Sequence, residues 1–438
     1  MSRSSIEKPG IRILKNGGWL LGGKTVGAVL SIIYLAMITR NLGPENFGKF
    51  ALIFSFAQAI AGIISFQTWQ IIIRYGTKYV LEKAVDDFAR LIMLCLALDV
   101  IGILLGTVLT LTAVYGFAGY FGWDAAYSLK ISIFTFVILL STRGTAIGIL
   151  RVHDRFRDAA LADSLVPIIR FVGVGVAVFL GGSIDRFLFV WAFSEMAATA
   201  IMWIIIARTM PLHLGQQNWR HIGRYYRKYT DLTRFAAFTN LGSSLRLMSQ
   251  QLIVLIVGFY TGPAAAGFFR LGHQLGQVVA RIADGISFAI YTEYSRITQS
   301  AGSGAARSMI GRTMRVTAVS AAILLAILLL AGKPLIIMIF GPDYAPAYPL
   351  VLLLGGAAAV QVAAMALEPV LMTHGRAGWV LIANAVGVGV MALLLPLLMP
   401  ELEATGAAIA VLVGAALTAI SLALAFRFMS NDQQTPTI

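Results

Sequence analysis

Arg270, Gln274, Gln277, Arg281 and Asp284 follow one another at steps of 4, 3, 4 and 3 inside an otherwise apolar stretch. That spacing lays all five on one face of a helix. A second stripe, Thr239, Ser243, Arg246 and Gln250, precedes it at steps of 4, 3 and 4. Two more lie near the N-terminus: Lys24, Gly27, Ser31 and Tyr34, then Ser55, Gln58, Gly62 and Ser65. An ionisable side chain left in hydrocarbon costs about 2.5–3.5 kcal/mol, so it normally faces a cavity or a partner. Guanidinium groups grip phosphate oxygens in a fork geometry and stay charged. An excess of buried cation therefore suits an anionic ligand held in a hydrated cavity. The competing reading is structural. Gln and Ser tie transmembrane helices together, Arg281 and Asp284 can pair along their own helix, and Arg270 can snorkel to the outer surface.

Arg143 and Arg170 extend the cationic set, each within an apolar run. The principal acids buried in other runs are Asp99, Glu195 and Glu368. They can neutralise those cations, the role expected first of Asp99. With Asp284, they are also the places where a coupling proton or Na⁺ would bind. No cofactor is implied. Cys95 is the only cysteine, so neither a disulfide framework nor a cysteine metal site is available. His153 and His374 have no second ligand beside them and read as turn or headgroup contacts. Gly173-Val174-Gly175 has no strand before it, which excludes a dinucleotide fingerprint. The basic run from Arg220 to Arg234 interleaves Tyr with Arg and Lys and reads as a helix lying on anionic membrane lipid; nucleic acid is not an expected partner.

The elements that must hold these residues are membrane spans. Apolar residues make up 58% of the chain and charged ones only 12%, against about 25% charged in soluble domains; the mean hydropathy is +0.81. Runs long enough to cross a bilayer recur at 17–39, 48–72, 91–115, 129–150, 161–181, 186–207, 235–260, 267–292, 313–331, 349–372, 377–399 and 404–427. With both termini inside, 23 of the 34 Lys and Arg residues fall in inside segments or at the span ends beside them, and 5 in outside segments or at the span ends beside those. This bias orients the chain and accounts for the net charge of +14. The expected organisation is a cytoplasmic arm (1–16), an N-lobe of six spans (17–207), a basic linker (208–234), a C-lobe of six spans (235–427) and a cytoplasmic tail (428–438). Met1 to Asn16 is basic and no cleavage site follows it, so no signal peptide is expected.

The two lobes look like copies. LGPENFGKFAL (Leu42 to Leu52) returns as TGPAAAGFFRL (Thr261 to Leu271), with Gly262 following Gly43 by 219 residues in a chain of 438. FGWD at Phe121 returns as FGPD at Phe340, again 219 residues later, and LRVHDR at Leu150 as LMTHGR at Leu371, 221 later. An even number of spans per copy relates the halves by a pseudo-two-fold axis along the membrane normal, with the ligand between them. In each phrase Gly-Pro ends one helix, and the later glycine, Gly48 or Gly267, is expected to let the chain turn back.

These phrases, with TGPAAAGFFRLGHQL (Thr261 to Leu275) and FGPDYAPAYPLVLLL (Phe340 to Leu354), resemble bacterial polysaccharide biosynthesis flippases, the O-antigen or lipid-linked oligosaccharide translocases. Those belong to the multidrug/oligosaccharidyl-lipid/polysaccharide exporter superfamily. The resemblance implies an all-α polytopic protein of two six-helix lobes in a V, and no enzyme. It implies a cargo of undecaprenyl-pyrophosphate-linked glycan carried across the inner membrane by alternating access. Lys24, Arg246 and Arg281, with Arg270, Arg143 and Arg170 behind them, would take the pyrophosphate. Gln58, Gln250, Gln274, Gln277 and Tyr34 would take the sugars. A polymerase and a chain-length regulator are the implied partners. A drug exporter of the same superfamily is the nearest alternative, though its cavity would be acidic and aromatic. A membrane glycan polymerase or ligase is the more distant one, and the short outer connections carry no clustered acids with His to support it.

Overall fold

The computed structural model describes residues 9–121, 123–210, 225, 232, 250–277, 302–373 and 376–432, and before Gly27 and over 302–313 only their backbone. Among the described residues every regular element is helical. The first half contains α1 (Pro9–Ile64), α2 (Thr68–Ile71), a π-helical turn (Ile72–Gly76), α3 (Thr77–Leu81), α4 (Val85–Phe121), α5 (Ala125–Leu140), α6 (Gly144–Val152), α7 (Phe156–Phe179) and α8 (Ile184–Thr209). Then come α9 (Gln250–Thr261) and α10 (263–277). The rest is α11 (Gly302–Phe340), a 3₁₀ turn (Pro342–Ala347), α12 (Tyr348–Ala364), α13 (Leu367–Thr373) and α14 (Ala377–Asp432).

Eight helical stretches among these residues are long and apolar enough to cross a membrane. Two of them are helix pairs joined across a non-helical residue, Gly43 in α1 and Glu403 in α14. Counting each pair as two gives ten of the twelve expected spans. Much of spans seven and eight lies outside the described residues.

The repeat is visible in the backbone. Gly43 and Gly262 both take positive φ, 71° and 88°, and a proline follows each. An L-residue in that region costs about 1–2 kcal/mol, whereas glycine adopts it freely; proline then opens the next helix, where its missing N–H is not needed. The third landmark also repeats. Arg155 N–H donates to the Leu150 carbonyl at 2.8 Å, and Arg376 N–H donates to the Leu371 carbonyl at 3.0 Å. The same closing bond thus ends α6 and α13, as a Schellman-type cap does.

The chain divides into two compact units: Met1–Asn41 with Phe50–Leu255, and Leu42–Lys49 with Ile256–Ile438. In the first, α7 packs along α8, α4 along α5, and α2 against α6. Its buried core includes Ile72, Leu91, Ile92, Leu150, Met202 and Ile206. Small residues permit the close contacts, as membrane helices require: a Cβ on Gly102 would stand 3.0 Å from the Ile64 carbonyl oxygen, and one on Gly173 would stand 2.7 Å from Val190. Val100, Leu104, Leu105 and Val108 on α4 face outward, as lipid-facing residues do.

In the second unit α12 packs between α11 and α14, and α13 lies on α14. Leu367, Val370, Leu371, Val380 and Leu422 are buried together there. The short segment Leu42–Lys49 belongs to this unit: Phe47 and Phe268 both set a ring edge-on to buried Tyr344, at 6.1 and 5.8 Å. The expected turns at Gly48 and Gly267 are not turns. Both residues are helical, and they mark a helix crossing. A Cβ on Gly267 would lie 3.1 Å from the Gly48 Cα, and one on Gly48 would collide with the Pro263 carbonyl. The twin phrases are therefore packed on each other, and glycine is needed there for space, while Gly43 and Gly262 make the turns.

Gly48→Val forces a side chain into that backbone crossing and is expected to destabilise the protein by about 1–3 kcal/mol, the usual cost of overpacking. Gly43→Ala has open space around it and should lose about 1–2 kcal/mol through its backbone conformation alone. Thermal unfolding in detergent would check both; a Gly48→Val protein as stable as the parent would show that the helices do not cross there.

Candidate functional site

Four of the residues singled out in the sequence meet in the first unit. The fourth span is interrupted between Leu140 and Gly144, and Arg143 stands at the first position before α6. Its Nη1 lies 3.0 Å from Asp163 Oδ1 on α7, and its Nη2 lies 2.5 Å from Glu195 Oε2 on α8. The other oxygen of Glu195, Oε1, receives Arg170 Nη2 at 2.6 Å. Arg170 also donates from Nε to Ser194 Oγ at 3.0 Å and lies over the Trp191 ring at 4.7 Å. Tyr34 and Phe50 present ring edges to the same indole at 5.3 and 5.2 Å. The side chains of Arg143, Arg170 and Glu195 are 19%, 13% and 16% exposed, so screening by water is weak and the charges must compensate each other. Two guanidiniums are matched by two carboxylates.

The local sequence explains the clamp. Asp163 and Arg170 are two turns apart on α7, hence on one face, and Trp191, Ser194 and Glu195 share the facing side of α8. Thr199 on α8 donates to the Ser141 carbonyl at 2.8 Å, occupying an acceptor that the interruption of the fourth span leaves free of its own helix.

Asp99 does not join this network, contrary to the role expected first of it. It sits on α4, which packs on α2, α5 and α6, and its carboxylate is held by hydroxyls. Thr68 Oγ1 donates to Oδ1 at 3.0 Å and Thr145 Oγ1 to Oδ2 at 2.5 Å. Both threonines are 1% exposed. Glu195, on the helix facing Arg170, is the acid that neutralises the arginines. Asp163, Trp191, Thr68 and Thr145 were missed in the sequence. The seven-residue step from Asp163 to Arg170 and the four-residue step from Trp191 to Glu195 carried a signal for the first two. Nothing marked the threonines.

The other candidates are more dispersed. Glu368 opens α13 and accepts a hydrogen bond from Asn384 Nδ2 at 3.3 Å in the second unit. Arg270, Gln274 and Gln277 are half-buried on α10, as are Gln58 on α1 and Gln250 at the start of α9. Lys24 lies on the helical backbone of α1, but its side chain is outside the described residues, as are Arg246, Arg281 and Asp284. Among the described residues no group of three or more His, Cys, Asp or Glu side chains is placed to hold a metal.

Comparison with known proteins agrees with this architecture. The family model for the polysaccharide biosynthesis protein matches residues 13–292. The inner membrane protein YghQ of Escherichia coli (strain K12) is 26% identical over 344 residues, covering 77% of this chain and 95% of the relative. A multidrug resistance MATE family transporter of the MOP superfamily, solved in an inward-facing conformation, superposes with a TM-score of 0.74 at 14% identity, over 94% of this chain and 96% of that one. The lipid II flippase MurJ, in an inward closed conformation, gives a TM-score of 0.64 at 11% identity, over 92% and 87%. At such identities the two structures establish the shared fold.

Removing Glu195 would leave Arg170 without a carboxylate and Arg143 with Asp163 alone. Glu195→Gln is expected to cost about 3–5 kcal/mol, the range for breaking a buried ion pair by losing one partner. Replacing all three charged residues with Met should recover much of that loss. The comparison is of unfolding free energies among the single, double and triple variants; additive losses would mean that the three side chains do not act as a unit.

Proposed function

The chain belongs to the polysaccharide biosynthesis protein family, and from that premise we propose that it is a flippase for undecaprenyl-pyrophosphate-linked oligosaccharide. It is a multi-pass helical membrane protein with the fold of the MATE and MurJ transporters. In this reading the cargo passes from the cytoplasmic to the periplasmic leaflet of the inner membrane, with both termini cytoplasmic. The observation that carries the reading is the family match over 13–292, a range that holds the cationic stripes with Lys24, Arg246 and Arg281. The MurJ structure is that of a flippase for lipid II, which fits a lipid-borne cargo.

Binding needs no bond-making in such a transporter. Lys24, Arg246, Arg281 and Arg270 would hold pyrophosphate oxygens, while Gln58, Gln250, Gln274, Gln277 and Tyr34 would hydrogen-bond sugar hydroxyls. The lipid chain stays in the bilayer. Arg143 and Arg170 stand apart from that set, because they reach phosphate only by exchanging Glu195 for it. We assign them the positioning of α7 and α8, and through Trp191 that of Tyr34. A coupling proton or Na⁺ and the association with a polymerase and a chain-length regulator belong to the same proposal. A drug exporter needs acidic groups for cationic drugs, and these stripes are predominantly basic.

Deleting the protein from its parent bacterium should trap the lipid-linked oligosaccharide on the inner leaflet, and the wild-type chain should restore surface glycan. Charge-assisted hydrogen bonds contribute about 1.5–3 kcal/mol each, so Arg246→Ala is expected to slow translocation about tenfold or more without lowering expression. Unimpaired glycan display by the Arg246→Ala and Lys24→Ala variants would remove those side chains from the mechanism. Proteoliposomes of the wild-type protein that fail to move a labelled pyrophosphate-linked oligosaccharide would overturn the cargo assignment.

A further inference from the structure

Asp99 and Glu195, two half-buried acids within spans of the first unit, are satisfied in different ways. Glu195 has two arginines, whereas the hydrogen-bond partners of Asp99 among the described residues are the hydroxyls of Thr68 and Thr145 and the backbone of Thr145. Asp99 lies well inside the stretch Val85–Gly116, which is long and apolar enough to span the membrane. The charged groups on its own helix and on the elements packed against it are engaged elsewhere. Lys78 pairs with Glu82, Arg90 with Asp87 and Lys130 with Asp185; Arg151 lies over Trp69 and Arg74 over Tyr75. Asp86 opens α4 itself. His153, directly after α6, sets its ring against Phe88 near the start of α4, with Nδ1 2.9 Å from the Ile149 carbonyl oxygen. The other titratable groups described there, Cys95, Tyr75, Tyr79, Tyr115 and Tyr127, are weak acids and carry no positive charge.

The surroundings are a second, independent feature. Thr68 begins α2, directly after the non-helical residues 65–67, where Gln67 takes a left-handed backbone (φ 48°, ψ 42°). Thr145 is the second residue of α6, directly after the interruption of the fourth span. The second and fourth spans are thus both broken at the level of one carboxylate on the third. A Cβ on Gly144 would collide with the Thr68 hydroxyl, so the two breaks are in direct contact. Transporters place their small-ion sites where membrane helices are interrupted.

We propose that Asp99, Thr68 and Thr145 form a site for one monovalent cation, a proton or Na⁺. Two carboxylate oxygens and two hydroxyl oxygens offer hard donors to either ion. Occupancy changes the tie between helices. As an ionised carboxylate, Asp99 accepts from both threonines. Once an oxygen carries a proton it becomes a donor, and the hydroxyl facing it must turn round to accept. Na⁺ bound to the same oxygens draws the hydroxyl lone pairs toward itself. Either event alters the connection between α2, α4 and α6 at the two breaks. The site does not depend on the identity of the cargo.

Trp69 is a built-in reporter: it adjoins Thr68 and its indole Nε1 donates to Gln67 Oε1 at 2.8 Å. The full-length protein in lipid nanodiscs would be titrated with acid, and separately with NaCl against N-methylglucamine chloride. The Trp69 signal is the fluorescence lost in Trp69→Phe. A saturable response is expected in the wild type and its loss in Asp99→Asn. Thr145→Val should displace the midpoint and Thr145→Ser should restore it, which a merely structural threonine would not do. A pH midpoint that moves with NaCl identifies Na⁺ as the ligand, and one indifferent to NaCl identifies the proton. If Asp99→Asn does not fold, Thr68→Val and Thr145→Val carry the same comparison. A response that persists in Asp99→Asn, a midpoint unchanged in the folded threonine variants, or no response to either ion in folded wild-type protein overturns the site. No lipid-linked sugar is present, so this outcome is separate from that of the translocation assay.

Discussion

Everything in the first unit is arranged around one constraint: a charge placed in hydrocarbon has to be answered by another group of protein, because water is not there to answer it. Glu195 shows the strong form of the answer. It places one oxygen on Arg143 and the other on Arg170, and thereby joins the interrupted fourth span to α7 and α8. Trp191 extends the arrangement to Tyr34 and Phe50 in α1. The pairs need not stabilise the fold relative to an apolar core of the same shape. What they add is specificity: guanidinium forks donate to carboxylate oxygens in only a few geometries, so the helices are fixed in rotation as well as in distance.

Asp99 shows the weaker form. Two hydroxyls can orient a carboxylate, but they do not cancel its charge. The contrast between the two acids separates a permanent structural pairing from a position open to a mobile cation. It also explains why the second and fourth spans are broken where they are: a threonine at the start of a helical segment is freed from the upstream turn that would otherwise claim its hydroxyl.

Much of this was legible in the sequence, and the limits have physical causes. Span positions follow from hydropathy because the bilayer sets their length. The duplication was readable from Gly-Pro pairs because glycine adopts without cost the positive φ that ends the first helix, and the structure has that φ at both Gly43 and Gly262. Gly48 and Gly267 look the same on paper but serve close packing, and sequence alone does not tell a turn glycine from a crossing glycine. The Asp99 partners left no trace for a similar reason. Membrane threonines usually bond the carbonyl one turn back, as Thr107, Thr110 and Thr112 do, so Thr68 and Thr145 were unremarkable. The break at 65–67 contains neither Gly nor Pro, the residues by which breaks are recognised. The pairing of Arg143 and Arg170 with Glu195 was partly legible, since the charges were counted, but which acid met them depended on which helices are neighbours.

The duplication and the charges tell different histories. Backbone devices are repeated: the left-handed glycine before proline, and the bond that closes α6 and α13. The charged devices are not. At the 221-residue offset that carries Leu150 onto Leu371, Arg143, Arg170 and Glu195 fall on Ala364, Met391 and Ala416. At the 219-residue offset of the earlier landmarks, Asp99 falls on Ala318. Only Asp163 keeps a polar counterpart, Asn384, which donates to Glu368. A fold built twice needs its turns twice, because each copy must reverse direction at the membrane surface. An intramembrane charge is a cost in each copy and is retained only where it does something. Fixed ion pairs and a hydroxyl-bound carboxylate in one unit, with alanine or methionine at the matching places in the other, therefore mean that the two copies have divided their work. The first carries the membrane-buried charge clamp and the proposed cation site, on a backbone frame that both share.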